Sequence, residues 1–158
     1  MKTDEEIYKE WPFQIRFLDM DSWNIIKQYI QKHKITSALE FGSGLSTILL
    51  NNAGLDVTSY ETDPTYLEIV KEFNLDNVKF HLWNNVDADI KGHFGLSLVD
   101  GILPRMNQLY YAQKHSRYIA IDDFNNDHQS EGLLPMLKDC NRLDDQSARI
   151  AIFRKSND

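Results

Sequence analysis

The residues of this sequence that could do chemistry are two glycines and a set of carboxylates. Gly42 and Gly44 lie in Glu40-Phe41-Gly42-Ser43-Gly44-Leu45-Ser46-Thr47, behind a short apolar run and ahead of a helical pattern. Glycine there removes the Cβ atoms that would bar a sharp turn and the close approach of a ligand, and the helix that follows presents unpaired N–H groups. Taken alone, a glycine pair after a strand is weak evidence, a plain turn about as often as a ligand site, and the surrounding context has to carry the inference. Seventeen positions after Gly44 stands Glu61, at the end of the next strand-like run, where its carboxylate could accept both hydroxyls of an adenosine ribose. Thr47 occupies the place where a dinucleotide fingerprint wants its third glycine. Glu40, beside the turn, would repel a pyrophosphate while tolerating a sulfonium or an amino group. The spacing points to a nucleoside ligand and away from a nicotinamide dinucleotide.

Asp100 and the pair Asp122-Asp123 also close strand-like runs. Carboxylates gathered along one edge repel one another unless hydroxyls, a cation or a positively charged ligand compensates. Asp100, Asp122 and Asp123 together offer the hard oxygen donors that Mg2+ or Ca2+ takes. An ion held there would bind a hydroxylated acceptor, lower the pKa of its hydroxyl and orient the oxygen. The plainer reading has Asp122 and Asp123 capping a turn or helix and Asp100 beginning one. Asp100 and Asp122 are the candidate catalytic residues. His93, His115 and His128 titrate near neutral pH and are candidate proton acceptors, against an ordinary role in loops and helices. Arg105 would either clamp an anionic group on the acceptor or form a salt bridge at a helix start.

These residues need a scaffold, and the order of elements supplies one. Asp21 is positioned to cap a helix in which Trp23, Ile26, Tyr29 and Ile30 recur at helical spacing. Strand-like runs follow at 36–41, 56–61, 77–82, 95–100 and 117–122, and a closing one at 148–154. Helices are expected at 45–53, from Asp63-Pro64 onward, at about 104–114 and at 131–138, with a polar loop over 83–93. Strands alternating with helices of about ten residues predict an α/β fold: a Rossmann-like, mostly parallel sheet with helices on both faces and an antiparallel C-terminal strand. Ligands of such sheets bind beyond the carboxyl ends of the strands, where the strand order reverses.

The chain has 158 residues, 42% of them hydrophobic, enough for one core of ordinary size. It is read as one unit: an arm or lid over 1–20, a packing helix over 21–34 and the core over 36–154. The arm, with Trp11, Pro12 and Phe13, would cover the site, form a contact between copies in a homo-oligomer, or pack on the core. No apolar stretch approaches the roughly 20 residues that cross a bilayer. Met1 to Glu10 carries six charged residues and no signal-like apolar run, and Cys140 is the only cysteine, which together fit a cytoplasmic protein. A net charge of −7 argues against nucleic acid as a partner and leaves a small molecule as the expected one.

In sequence and order, Glu40 to Thr47, Ser59-Tyr60-Glu61, Leu98-Val99-Asp100-Gly101 and Ala120-Ile121-Asp122-Asp123 resemble the class I S-adenosylmethionine-dependent methyltransferases. The likeness is to a small bacterial-type subgroup with an E-x-G-S-G-x-S-T first motif, and it covers about 36–154. It implies that Gly42 and Gly44 pass under the methionine part of the cofactor and that Glu61 holds the ribose. Trp83 and Asn84 would border the adenine, with Trp83 alternatively a loop packing residue. Glu40, Ser43, Ser46 and Asp100 join the expected cofactor contacts. Similar sugar- and catechol-directed O-methyltransferases carry an aspartate after the fourth strand and an acidic pair after the fifth, which Asp100, Asp122 and Asp123 match by position. The catechol group also has a lysine base shortly after its fourth-strand aspartate, and this chain has Ile102-Leu103-Pro104-Arg105 there. The proline-aromatic motif of base-directed amine methyltransferases is missing as well. The expected activity is transfer of a methyl group from S-adenosylmethionine to a small hydroxylated or carbohydrate-like acceptor. The alternatives are a scaffold of the same fold without transfer and, less favoured, a nicotinamide-dependent oxidoreductase.

Overall fold

Seven strands form one sheet in the order β3-β2-β1-β4-β5-β7-β6. They are β1 (Ser37–Phe41), β2 (Asp56–Glu61), β3 (Val78–Leu82), β4 (Phe94–Val99), β5 (Ser116–Ile121), β6 (Cys140–Arg142) and β7 (Ala151–Lys155). The computed structural model describes residues 2–13, 18–84, 86–101, 105–124, 132–144 and 149–156. β3, β2, β1, β4 and β5 run parallel, and β7 lies antiparallel to both β5 and β6. The helices are α1 (Asp4–Glu10), α2 (Met20–His33), α3 (Leu45–Asn52), α4 (Pro64–Lys71) and α5 (Met106–His115). α3, α4 and α5 carry the crossovers from β1 to β2, β2 to β3 and β4 to β5. No described helix is long and apolar enough to cross a membrane.

The strands at the centre are apolar on both sides because helices cover both faces. Alternation sorts their side chains into two cores. Ala38, Leu96, Leu98, Tyr118, Ala120 and Ile152 join the core that contains Trp23 and Ile26 of α2 and Leu45 and Leu49 of α3. Leu39, Phe41, Val99, Ile119, Ile121 and Phe153 join the opposite core, with Leu109 and Ala112 of α5. The pairing Phe41↔Tyr60, Phe41↔Val99 and Val99↔Ile121 then has a functional consequence. One step further along, Glu61, Gly42, Asp100 and Asp122 stand level on neighbouring strands, on the face of α3. Glu40 lies on that same face two residues back. The sheet alone lines up the carboxylates, at the β1/β4 reversal.

Several boundaries differ from the sequence reading. The cap of α2 is Asp19, whose Oδ1 accepts the Ser22 N–H at 2.7 Å, while Asp21 lies within the first turn. Part of the expected arm is the helix α1, started by a capping box in which Thr3 and Glu6 satisfy each other's backbone N–H. The helix expected over 131–138 is a single 3-10 turn, Leu134–Leu137, with Pro135 in it; residue 131 lies outside the described residues. β6 was not anticipated, since three residues with Asn141 at the centre give no hydrophobic alternation.

Asp63 caps α4 as expected, accepting Thr65 N–H at 2.8 Å and Tyr66 N–H at 3.2 Å, with Pro64 in the first turn. Asp63→Ala is expected to cost about 1 kcal/mol of stability, measured by urea denaturation, because two helix N–H groups lose their acceptor. A change below a few tenths would show that water replaces the cap.

Candidate functional site

The glycine turn is shaped by its neighbours. Gly42 has φ +99°, and a Cβ built on it would lie 2.9 Å from the Cα and N of Gly101, at the end of β4. Only glycine lets the two chain segments meet there. A Cβ on Gly44 would meet the hydroxyl of Tyr66 at 3.4 Å. Thr47 replaces the third glycine with a hydrogen-bond relay: its Oγ1 accepts Gly44 N–H at 2.8 Å and donates to Glu40 Oε2 at 2.6 Å. Ser59 also donates to Glu40 Oε2 at 2.6 Å and pairs with the Ser43 hydroxyl at 2.7 Å.

Glu40 is fully buried, and its Oε1 has no hydrogen-bond partner. Burial pushes its carboxyl up to about 7, against the opposing pull of the Ser46, Ser59 and Thr47 hydroxyls. Glu61 is folded against the same turn. Its Oε2 accepts Ser43 N–H at 2.9 Å, and its Oε1 accepts Thr62 N–H at 2.6 Å and Asp63 N–H at 2.9 Å. Tyr66 sits among three acids: burial first, then Glu61, Asp100 and Glu40, push its phenol up to about 12.

On the other side of Gly42, burial and Asp122 push Asp100 well above the usual carboxylate range. Burial and Asp123 raise Asp122 to about 6, with Arg149 opposing. Asp100 Oδ1 and Asp122 Oδ1 are buried without hydrogen-bond partners. Arg105, itself buried, binds inward. Its Nε donates to Gly101 O at 3.1 Å, its Nη1 to Asp122 O, and its Nη2 lies 3.8 Å from Asp100 Oδ1. It ties the end of β4 to the end of β5, so of its two expected roles the structural one is built. Gln108 supports the same loop by accepting Gly101 N–H at 3.2 Å.

Asp123 has a left-handed backbone, φ 55°, and receives Arg149 Nε at 2.6 Å and Nη2 at 2.5 Å. The same guanidinium reaches Asp122 Oδ2 at 3.4 Å and Asp19 Oδ2 at 3.6 Å. The expected Mg2+ site at Asp100, Asp122 and Asp123 does not fit this arrangement, because an arginine already neutralises two of its three members. Among the described residues no three His, Cys, Asp or Glu side chains are grouped to hold a metal ion.

Trp83 is buried rather than a wall open to a ligand. Its ring packs on Phe41 and Tyr60 at centroid distances of 5.2 and 6.1 Å, and its Nε1 donates to Asp87 O at 2.9 Å. Packing, the second of its two readings, accounts for these contacts. Asn84 is exposed next to it and accepts the N–H groups of Val86 and Asp87. His93 and His115 directly precede β4 and β5, at the end of the sheet opposite Asp100 and Asp122. Six residues of strand, about 20 Å, separate them from the acids, which removes both as proton acceptors there. His128 lies outside the described residues. Thr47, Ser59, Tyr66 and Arg149 were missed as site residues. Only Thr47 had a local signal, as the residue standing where a glycine was sought.

The turn fits an adenosyl sulfonium ligand by its own chemistry. It combines a backbone crossing stripped of Cβ atoms, a buried carboxylate oxygen with no partner, and a second carboxylate one strand away. The architecture is a Rossmann-like α/β fold with a mostly parallel seven-stranded sheet. No protein-family model and no curated protein matches the sequence. Solved structures do match the fold. An O-methyltransferase from Bacillus cereus in complex with S-adenosylhomocysteine is 17% identical, with TM-score 0.72 over 96% of this chain and 90% of its own. The O-methyltransferase TomG from Streptomyces achromogenes, involved in tomaymycin synthesis and solved with S-adenosylmethionine, is 15% identical with TM-score 0.71, covering 97% and 87%. A methyltransferase from Podospora anserina bound to S-adenosylhomocysteine gives 16% and 0.69, covering 96% and 85%.

Proposed function

We propose that this protein is an S-adenosylmethionine-dependent O-methyltransferase acting on a small hydroxylated or carbohydrate-like acceptor. The observation that carries this reading is Glu40: a fully buried carboxylate with one oxygen held by two hydroxyls and the other without a partner, beside the Gly42/Gly101 crossing. An isolated buried charge is costly, and a cationic ligand relieves the cost. When bound, the cofactor supplies an electrophilic methyl group on a positively charged sulfur.

The chain's residues divide the remaining work. Gly42, Ser43 and Gly44 give the ligand backbone to lie against, Ser46 and Thr47 support Glu40 from the first turn of α3, and Glu61 receives the ribose hydroxyls on its remaining lone pairs. Asp122, with its carboxyl raised to about 6 and Oδ1 without a partner, takes the proton of the acceptor hydroxyl at neutral pH. Asp100, across the strand gap, shares that proton. The test is incubation with methyl-labelled S-adenosylmethionine and a panel of phenols, catechols and sugars. Label should enter one acceptor class, and Asp122→Asn should reduce its rate by roughly 100-fold or more if a general base is lost. A scaffold without transfer is the second reading, favoured by the arginines engaging Asp100, Asp122 and Asp123; it predicts binding without turnover for every acceptor.

Glu61→Gln is expected to weaken S-adenosylhomocysteine binding by about 1–3 kcal/mol, the worth of a hydrogen bond to a charged acceptor. Since Glu61 also holds three turn N–H groups, stability should fall as well, so affinity is to be measured by calorimetry on protein shown to be folded. Wild-type affinity in the folded variant would refute the ribose role.

A further inference from the structure

Tyr66, in the first turns of α4, reaches the glycine turn, and the proposed reaction leaves it without a task. Its hydroxyl would stand 3.4 Å from a Cβ on Gly44, beside the space that the glycine keeps clear. Among the described residues that hydroxyl has no hydrogen-bond partner. The hydroxyls of the turn itself are taken. Thr47 and Ser59 each donate to Glu40 Oε2 at 2.6 Å, Ser46 also bonds Glu40, and Ser43 pairs with Ser59 at 2.7 Å. The N–H groups of Ser43 and Gly44 are taken too, by Glu61 Oε2 at 2.9 Å and Thr47 Oγ1 at 2.8 Å. The Tyr66 ring, in turn, is held by the N-terminal arm. Trp11 meets it edge-on at a centroid distance of 6.3 Å and Phe13 lies at 5.5 Å, while Trp11 stacks on Phe73 at 5.7 Å.

We propose that the Tyr66 hydroxyl receives the carboxylate of the ligand's amino-acid tail, and so selects adenosyl ligands that carry that tail. The proposal rests on the S-adenosylmethionine reading and deepens it. That ligand brings a sulfonium and an ammonium, which the acids around the turn attract. It also brings a carboxylate, which Glu40, Glu61 and Asp100 repel. An anion can settle among acids only on a donor, and Tyr66 is a side-chain donor at this turn that the protein has not already used. The donor is permanent: burial and the three acids push the phenol up to about 12, so it keeps its proton across the neutral range. A hydrogen bond to a charged acceptor is also stronger than one between neutral groups. Gly44 contributes by leaving the hydroxyl uncovered, and Trp11 and Phe13 contribute by fixing the ring that carries it.

The test is calorimetric titration of wild type and Tyr66→Phe with two ligands: S-adenosylhomocysteine, and methylthioadenosine, a nucleoside thioether without the amino-acid tail. Phenylalanine keeps the ring contacts to Trp11 and Phe13 and removes only the hydroxyl. The variant should bind S-adenosylhomocysteine about 10- to 100-fold more weakly than wild type, and methylthioadenosine with unchanged affinity. Wild-type affinity for S-adenosylhomocysteine in the variant overturns the proposal and leaves the cofactor reading standing. An equal loss for both ligands also overturns it, because the hydroxyl then serves the nucleoside and not the tail. Folded wild-type protein that binds neither ligand overturns the cofactor reading, and the proposal falls with it.

Discussion

Gly42→Ala should be the most damaging small substitution in this chain, losing about 3–4 kcal/mol of stability and nearly all affinity for S-adenosylhomocysteine. Two costs combine. At φ +99° an L side chain is strained, by roughly 1–2 kcal/mol. The new Cβ would also stand 2.9 Å from the backbone of Gly101, which cannot move aside as a flexible side chain would. Gly101 is itself held: Arg105 binds its carbonyl, and a Cβ on it would meet Gln108 Nε2 at 2.5 Å. The natural controls are Gly54 and Gly92, which have φ +84° and +92° but nothing within 4 Å of a Cβ. Alanine there should cost the backbone strain alone, about 1–2 kcal/mol. Denaturant melts of the three variants separate the two terms. Equal losses at Gly42 and Gly54 would mean that the crossing of β1 and β4 relaxes and does not define the turn.

Glu40→Gln is expected to move stability and binding in opposite directions. The Glu40 carboxyl sits at about 7 in the fold and near 4.5 when exposed. Between these values the folded state holds more protons than the unfolded one, so stability is full below about 4.5 and falls as pH rises through 7. The penalty at pH 8 is about 3 kcal/mol for a shift of that size. Glutamine keeps an oxygen to accept the Ser59 and Thr47 hydroxyls and carries no charge. The variant should therefore be more stable than wild type at pH 8 and close to it at pH 5. Asp100 and Asp122 are raised too and slope the same way, and the Glu40 charge is one of the causes that raise Asp100, so the difference between the two proteins reads Glu40 together with its coupling to Asp100. Affinity for S-adenosylmethionine should fall about 10- to 100-fold with the loss of a charged partner. Stability differences that do not change between pH 5 and 8 would show that Glu40 is not the group titrating.

Much of this arrangement was legible from residue types. β2, from Asp56 to Glu61, and the Asp63-Pro64 start of α4 were readable to the residue, because alternation, a cap and a proline coincide there. The face on which the carboxylates gather follows from strand parity once the register is known. Register is a tertiary property, which is why Glu40 and Glu61 could be marked as candidates but not as clamps on one turn. Ser59 reads as an unremarkable strand residue until β1 is laid beside β2. Arg149 was invisible because its partners are 26, 27 and 130 positions away, at the ends of two other elements. The same distance misled the metal reading: three acids at the right strand ends count as a site only if no cation of the chain already occupies them. His93 and His115 failed for the opposite reason. Their chemistry was suitable, and parallel strand direction put them at the wrong end of the sheet.

The most direct test of the central claim is calorimetric titration of the folded protein with S-adenosylmethionine, S-adenosylhomocysteine and a nicotinamide dinucleotide. The Glu40 and glycine-turn geometry predicts saturable binding of the first two at one site per chain and none of the third. Folded protein that binds neither adenosyl ligand, or that prefers the dinucleotide, would contradict it.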